Sequence, residues 1–93
     1  MYALLCFDRP DSAQLRDAYR TAHQDFLQKN AKAIVFGGPL KSTPDGASTG
    51  ALIVVSCATR EEAEAFIAAD PFYKGGVYES VAVRAFKKVF PAG

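Results

Sequence analysis

The apolar and polar positions at the start of the chain predict a strand followed by a helix. Residues 2–7 (YALLCF) are an apolar run, which the polar residues 8–10 (Asp-Arg-Pro) end in a turn. Asp11 and Gln14 have the spacing of a capping box, so the helix is predicted to begin there. Its apolar face is made by Leu15, Ala18, Tyr19, Ala22 and Phe26. Asn30 is predicted to end the helix in the left-handed conformation.

Two further apolar runs predict the second and third strands. Residues 33–36 (AIVF) form the second strand, which Gly-Gly-Pro at 37–39 is expected to stop. A loop rich in turn residues covers 41–50. Residues 51–57 (ALIVVSC) are apolar almost throughout, so both faces of the third strand are expected to be covered.

The last part of the chain predicts a second helix and a fourth strand. Thr59 and Glu62 form a second capping box. The helix they begin is predicted to end at Asp70, because a residue that precedes proline disfavours helical geometry. After a glycine-containing turn, a strand is indicated by the spacing of Val77, Val81 and Val83.

The order β-α-β-β-α-β predicts an α+β, ferredoxin-like domain over residues 1–93. Its antiparallel sheet has the strand order 4-1-3-2, with two helices on one face. The helices cover only one face of the third strand, although both faces are apolar. We therefore expect a homodimer in which the uncovered sheet faces pack together.

Length, composition and charge narrow the function classes. Ninety-three residues are enough for one core, and 11 basic against 10 acidic residues give a net charge of +1. Such a balance indicates neither nucleic acid nor a membrane surface as a partner. No apolar run approaches the ~18 residues of a membrane span, and the start is a poor signal peptide. A cytoplasmic location is the expectation.

The cysteines and the single histidine give little support to a metal site. Cys6 and Cys57 fall at opposite ends of the predicted sheet, so no disulfide is expected between them. One histidine and two distant cysteines do not make a zinc site, and nothing in the sequence asks for another cofactor.

His23 and Asp70 are the candidates for chemistry, and each has an ordinary structural alternative. His23 lies at the edge of the apolar face of the first helix, where it is either a packing residue or a general base. Asp70 before Pro71 is typical of a helix-ending turn. His23 is also ~16 Å along its helix. Contact with Asp70 therefore requires segment 70–76 to fold back, a large offset between the helices, or a second subunit.

Four motifs along the chain resemble those of a known family. They are R-x-x-H at 20–23, GGPL at 37–40, GALIV at 50–54, and DPF at 70–72 with GGV at 75–77. Their order and spacing resemble the YCII-related (YciI-like) proteins, which are small proteins of the dimeric α+β barrel type. The resemblance implies a ferredoxin-like protomer with a histidine–aspartate dyad in a pocket. One characterised relative removes chloride from a hydroxylated aromatic compound.

The resemblance implies His23 and Asp70 as the catalytic pair. The expected substrate-binding residues are Arg20, Gly38, Pro39, Leu40 and Phe72. The leading hypothesis is a small-substrate enzyme that transfers a proton in a lyase- or isomerase-like step, on a cyclic or aromatic compound. One alternative is a non-catalytic module that binds a small ligand or regulates a partner. A second is a cofactor-independent monooxygenase.

Overall fold

The computed structural model describes residues 1–92 as seven main elements. They are β1 (Tyr2–Asp8), α1 (Ala13–Lys29), β2 (Ile34–Lys41), β3 (Ser48–Val55), α2 (Arg60–Ala68), α3 (Pro71–Lys74) and β4 (Tyr78–Ala85). A single 3-10 turn, Ala31–Ala33, joins α1 to β2. The order of the strands and the two longer helices is the one that the sequence predicts.

The four strands form one antiparallel sheet in the order β2-β3-β1-β4. This is the predicted order, and the α+β, ferredoxin-like fold is confirmed. Cys6 pairs with Ala51 in the sheet, whereas Cys57 lies beyond the end of β3 at which Val55 pairs with Tyr2. Both cysteines are free, so the prediction that they form no disulfide is confirmed.

The ends of the two longer helices agree only in part with the predicted caps. Asp11 has φ 58°, a left-handed conformation outside the helix, and the N-cap of α1 is Ser12 without a side-chain hydrogen bond. The capping box predicted at Asp11 is therefore wrong. Asn30 does end α1, but its φ of −108° is not left-handed. At α2, Thr59 Oγ1 accepts a hydrogen bond from the Glu62 N–H at 3.2 Å, as predicted.

Strand β2 does not stop at Gly37, which corrects the prediction. It continues to Lys41 because Gly37, Gly38 and Pro39 pair with Ile53, Leu52 and Ala51 of β3. Proline is tolerated here since β2 is an edge strand, whose second side needs no hydrogen-bond donors. The pairing with Ala51 and Ile53, both part of the core beneath the helices, puts residues 37 and 39 on the helix side of the sheet.

The chain reverses after α2. Asp70 ends that helix as predicted, and it also begins α3, with Pro71 at the first helical position. The Asp70 side chain accepts a hydrogen bond from the Phe72 N–H at 2.9 Å, which caps the short helix. Helix α3 then packs against α1, so the segment after Asp70 folds back over the first helix.

The core lies between the helices and one face of the sheet. Alternation along β1 puts Leu4 and Cys6 in this core and leaves Ala3, Leu5 and Phe7 on the other face. Phe36 shares that second face, because it pairs with Val54, the partner of Ala3; Val54 and Ala3 are themselves buried, at 1% and 8% exposure. Phe7 and Phe36 are 46% and 51% exposed, which is unusual for aromatic side chains. The homodimer stays a prediction that this apolar face supports.

Within residues 1–92, no helix has both the length and the apolar character needed to cross a membrane.

Candidate active site

A cavity of about 580 Å³ lies between α1 and the half of the sheet formed by β2 and β3. Helices α2 and α3 pack elsewhere, so this half of the sheet is covered by α1 alone, and the space beneath it is open. The lining residues with polar, aromatic or close-approaching groups include Arg16, Arg20, His23, Gly37, Gly38, Pro39, Gly50, Phe72 and Tyr78. Four of the predicted site residues therefore line this cavity together with His23.

His23 and Asp70 are in direct contact within one chain. His23 Nδ1 lies 2.7 Å from Asp70 Oδ1. Asp70 is fully buried, and the same Oδ1 accepts the Phe72 N–H that caps α3. Of the three arrangements that would allow the contact, the structure has the first, in which the segment after residue 70 folds back. The catalytic role of the pair stays a prediction.

The contact with Asp70 determines which nitrogen of His23 is available. An ionised carboxylate only accepts hydrogen bonds, so Nδ1 carries the hydrogen and donates it to Asp70. The lone pair of a neutral imidazole is then on Nε2, which makes no hydrogen bond to any residue of the described range 1–92. The His23 side chain is 13% exposed and lines the cavity. It can therefore accept a proton from a bound molecule.

Phe72 holds the His23 ring in its orientation by stacking against the face of that ring. The two rings are stacked, with centroids 3.9 Å apart and an interplanar angle of 7°. The guanidinium of Arg16 lies 4.9 Å from the centroid of the same Phe72 ring. Arg16 and His23 are two helical turns apart on α1, a rise of about 10 Å, so the Phe72 ring fits between them. The histidine can rotate only if this stack is broken.

Three hydrogen bonds hold the guanidinium of Arg16 in place. Its Nε and Nη2 donate to the two carboxylate oxygens of Asp8 at 2.6 and 3.0 Å, and Nη2 also donates to the Gly50 carbonyl at 3.1 Å. The side chains of Arg16 and Asp8 are only 12% and 6% exposed. At Gly50 a β-carbon would overlap the Cys6 carbonyl oxygen, so glycine is required for β3 to approach β1 this closely. Such a paired, largely buried arginine keeps one geometry.

Cys6 and Tyr78 lie near Asp70 in the buried core, and neither is suited to be a nucleophile. Burial, followed by the charge of Asp70, raises the pKa of the Cys6 thiol to about 12. Burial and the same carboxylate also raise the pKa of Tyr78 above its ordinary value. Both groups are therefore protonated at neutral pH. Asp70 Oδ2 is buried and lacks a hydrogen-bond partner within residues 1–92.

The remaining site predictions have mixed outcomes. Gly38, Pro39 and Arg20 line the cavity, and Arg20 also pairs with Asp17 at 3.0 Å on the exposed side of α1. Leu40 does not line it, which corrects its assignment to the pocket. Side chains alternate along a strand, and Pro39 takes the cavity side of β2, so Leu40 faces the other way.

Arg16 is the residue that sequence reasoning missed. It precedes Arg20 by four residues and His23 by seven, so all three share one side of the helix. That spacing was the available signal. The importance of Arg16 depends on Asp8 and Gly50, which are distant along the chain and adjacent only in the sheet.

No group of three histidine, cysteine, aspartate or glutamate side chains in residues 1–92 is arranged to hold a metal ion.

The fold and the arrangement of elements are shared with a solved enzyme. The structure is similar to that of 5-chloro-2-hydroxyhydroquinone dehydrochlorinase from Burkholderia phenoliruptrix AC1100, solved as a complex with 2,5-dihydroxybenzoquinone. The TM-score is 0.85, the sequences are 28% identical, and the match covers 92% of each chain. That enzyme acts on a small hydroxylated aromatic compound, and its solved complex contains a small ring.

Sequence comparison gives a consistent result. The chain is 35% identical over 97 residues to the protein YciI of Escherichia coli O6:H1 and to that of Shigella flexneri, covering 97% of this chain and 99% of each relative. An uncharacterised protein of Haemophilus influenzae is 28% identical over 96 residues. The model of the YCII-related domain matches residues 1–87. This chain belongs to the YCII-related family.

Proposed function

We propose that the protein is an enzyme that binds a small oxygenated ring in the cavity and removes a proton from it with His23. The observation that carries the proposal is the 2.7 Å hydrogen bond between His23 and the fully buried Asp70 at the cavity wall. A buried carboxylate that holds the imidazole tautomer and stabilises the imidazolium favours general base catalysis by the histidine. The similarity to a dehydrochlorinase supports the substrate class.

The cavity suits a ring of this size. Its volume of about 580 Å³ is within the range of small-molecule sites, roughly 300 to 1,000 Å³. Pro39, Ile53 and Phe72 provide apolar walls, while Arg16, Arg20 and His23 provide hydrogen-bond donors or acceptors. None of the cavity-lining residues is acidic. These walls favour a flat ring that carries hydroxyl or carbonyl oxygens.

The proposed chemical step balances without an oxidant. A ring hydroxyl loses its proton to His23 Nε2, so the O–H bond breaks and an N–H bond forms. The electron pair stays on the substrate and is delocalised into the ring. If the ring carries a leaving group such as chloride, return of the proton to the carbon that bears it gives a keto form. A second hydroxyl then loses its proton to Nε2, its O–H electrons form a carbonyl bond, and chloride departs with the electrons of the C–Cl bond, which leaves a quinone. If it carries none, return of the proton to a ring carbon gives an isomer.

Turnover and binding are tested with two probes. A chlorinated hydroxyhydroquinone is supplied as substrate and chloride release is measured, while 2,5-dihydroxybenzoquinone is used as a ligand in calorimetry. We expect His23→Gln to lower kcat by about 10² to 10⁴ while the ligand still binds. Lys32→Gln, which removes an exposed charge outside the cavity, is the matched control.

The outcomes separate catalysis from binding. If His23→Gln turns over as fast as the wild type, His23 is not the base and the mechanism is wrong. If the ligand binds but several chlorinated and unchlorinated rings are recovered unchanged, the protein is a binding module instead. Nitrogen-15 NMR of the His23 ring gives a separate check, since Asp70→Asn should reduce the population of the Nδ1–H tautomer.

A further inference from the structure

We propose that Arg16 is the second substrate-binding residue of this cavity, and that it selects rings that carry a second oxygen. In this arrangement one oxygen faces His23, and a second oxygen accepts a hydrogen bond from Arg16 Nη1. The inference rests on the proposed function and makes its substrate class narrower.

The first reason is that Arg16 has one unused donor arm. Asp8 and the Gly50 carbonyl take the hydrogens of Nε and Nη2, and Nη1 has no partner within residues 1–92. The guanidinium is planar, so the contacts with Asp8 fix the direction of the third arm as well. Arg16 lines the cavity, and an ordered donor at a cavity wall is available to a ligand.

The second reason is the spacing between Arg16 and His23. Phe72 lies between them, 3.9 Å from the His23 ring centroid and 4.9 Å from the guanidinium carbon. The imidazole centre and the guanidinium carbon are therefore at most about 9 Å apart. Hydrogen bonds of about 2.8 Å at each end allow one small ring that lies beside Phe72 to reach both groups.

The third reason is chemical. When His23 takes a proton from a ring hydroxyl, the negative charge spreads through the conjugated ring, and it reaches a second oxygen where that oxygen is a carbonyl conjugated with the first, as in a keto form or a quinone. A fixed N–H donor at that oxygen stabilises the charge as it develops. Asp8 balances the charge of Arg16, so the contribution of Arg16 is a directed hydrogen bond and not a general attraction for anions.

The test requires variants that keep the fold. Arg16→Gln alone would leave the carboxylate of Asp8 buried and unpaired, which destabilises proteins strongly. The double variant Asp8→Asn/Arg16→Gln removes both charges and retains neutral hydrogen-bonding groups. Lys32→Gln, which removes an exposed charge and leaves Asp8 and Arg16 in place, is the control. Thermal unfolding and the His23 tautomer are measured first to verify that each variant is folded.

Binding of 2,5-dihydroxybenzoquinone is then compared with that of phenol, which has one oxygen. We expect the wild type and Lys32→Gln to prefer the ring with four oxygens, and the double variant to lose 10-fold or more of that preference with little change for phenol. In the turnover assay the double variant should also lose about 10² in kcat. If the double variant fails to fold, Arg16→Lys is used, and the same loss is expected, because one ammonium cannot reach Asp8 and the ligand together.

The results distinguish this inference from the proposed function. A folded variant without Arg16 that keeps the full preference overturns the role of Arg16 and leaves His23 as the proposed base. A wild type that binds neither probe overturns the proposed function itself. A wild type that binds both probes equally tightly also overturns the selection by Arg16, because no second oxygen is then recognised.

Discussion

Replacing Asp70 tests whether the contact at the centre of the site has the strength that its geometry indicates. The Asp70 carboxylate accepts two hydrogen bonds, from the imidazole of His23 at 2.7 Å and from the Phe72 N–H at 2.9 Å, and it is fully buried. Asp70→Ala removes both of them. His23→Ala removes only the first, and it leaves the cap of α3 in place. The two single variants and the double variant therefore form a double-mutant cycle with the wild type. The two single variants differ by one hydrogen bond, the cap of α3.

The magnitudes follow from the two contacts. Loss of an N-cap costs about 1 kcal/mol, and loss of a hydrogen bond to a charged group costs about 1.5 to 3 kcal/mol. Asp70→Ala should therefore lower the free energy of unfolding by about 3 kcal/mol. The coupling energy between His23 and Asp70 should be about 1.5 to 3 kcal/mol. Thr59→Ala, which removes only the cap of α2, should cost about 1 kcal/mol and serves as the reference.

The assay is urea unfolding at pH 7, monitored by circular dichroism and extrapolated linearly to water. All four members of the cycle are measured together with Thr59→Ala. A coupling energy below about 0.5 kcal/mol would refute the reasoning, because the effects of two independent mutations already add only to within about that amount. Asp70→Ala would then be no more costly than the cap alone, and the tight contact would contribute nothing to stability.

Three further predictions follow from burial and from the uncovered sheet face. Iodoacetamide at pH 8 should modify the partly exposed Cys57 and leave Cys6 unmodified in the folded protein, because Cys6 is fully buried and burial raises its pKa to about 12, although the pKa of Cys57 is also raised; rapid labelling of both thiols, measured by mass spectrometry, would contradict this. The folded state also retains the protons of Cys6 and Tyr78 to higher pH than the unfolded chain does. Unfolding free energy should therefore fall above about pH 9 to 10, by about 1.4 kcal/mol per pH unit for each group. Tyr78→Phe should make that decline shallower in urea titrations, whereas Tyr73→Phe, at an exposed position, should not. Finally, light scattering should give a dimer for the wild type and a monomer for Phe36→Lys, which puts a charge on the uncovered face; a monomeric wild type would refute the expected dimer.

The order of secondary-structure elements could be predicted because it depends on local patterns. Strand and helix periodicity, the capping box at Thr59 and the break before Pro71 are properties of neighbouring residues, and the structure confirms each of them. The predictions failed where pairing with a distant segment overrode a local signal. Residues 37–39 remain in β2 because β3 lies alongside them, although glycine and proline normally end a strand.

The candidate site could be predicted only where a residue type was distinctive. His23 is the single histidine of the chain, so it was identified without any structure. Arg16 is one of several arginines, and nothing next to it in sequence separates it from the others. Its place in the site results from Asp8 on β1, Gly50 on β3 and Phe72 on α3. Each of these contacts is set by packing and not by spacing along α1.

The sequence by itself determined one small α+β domain, its strand order and the separation of its two cysteines, and it singled out His23 and Asp70 as candidates for proton transfer. These properties follow from hydrophobic periodicity and from the few ways in which β-α-β-β-α-β elements can pack. The tertiary structure alone decided that α3 folds back, so that Asp70 meets His23 across 47 positions of sequence. It also placed Phe72 between His23 and Arg16 and left the space beneath α1 open. Contacts of this kind depend on how side chains fill the volume between helix and sheet, which local patterns do not specify.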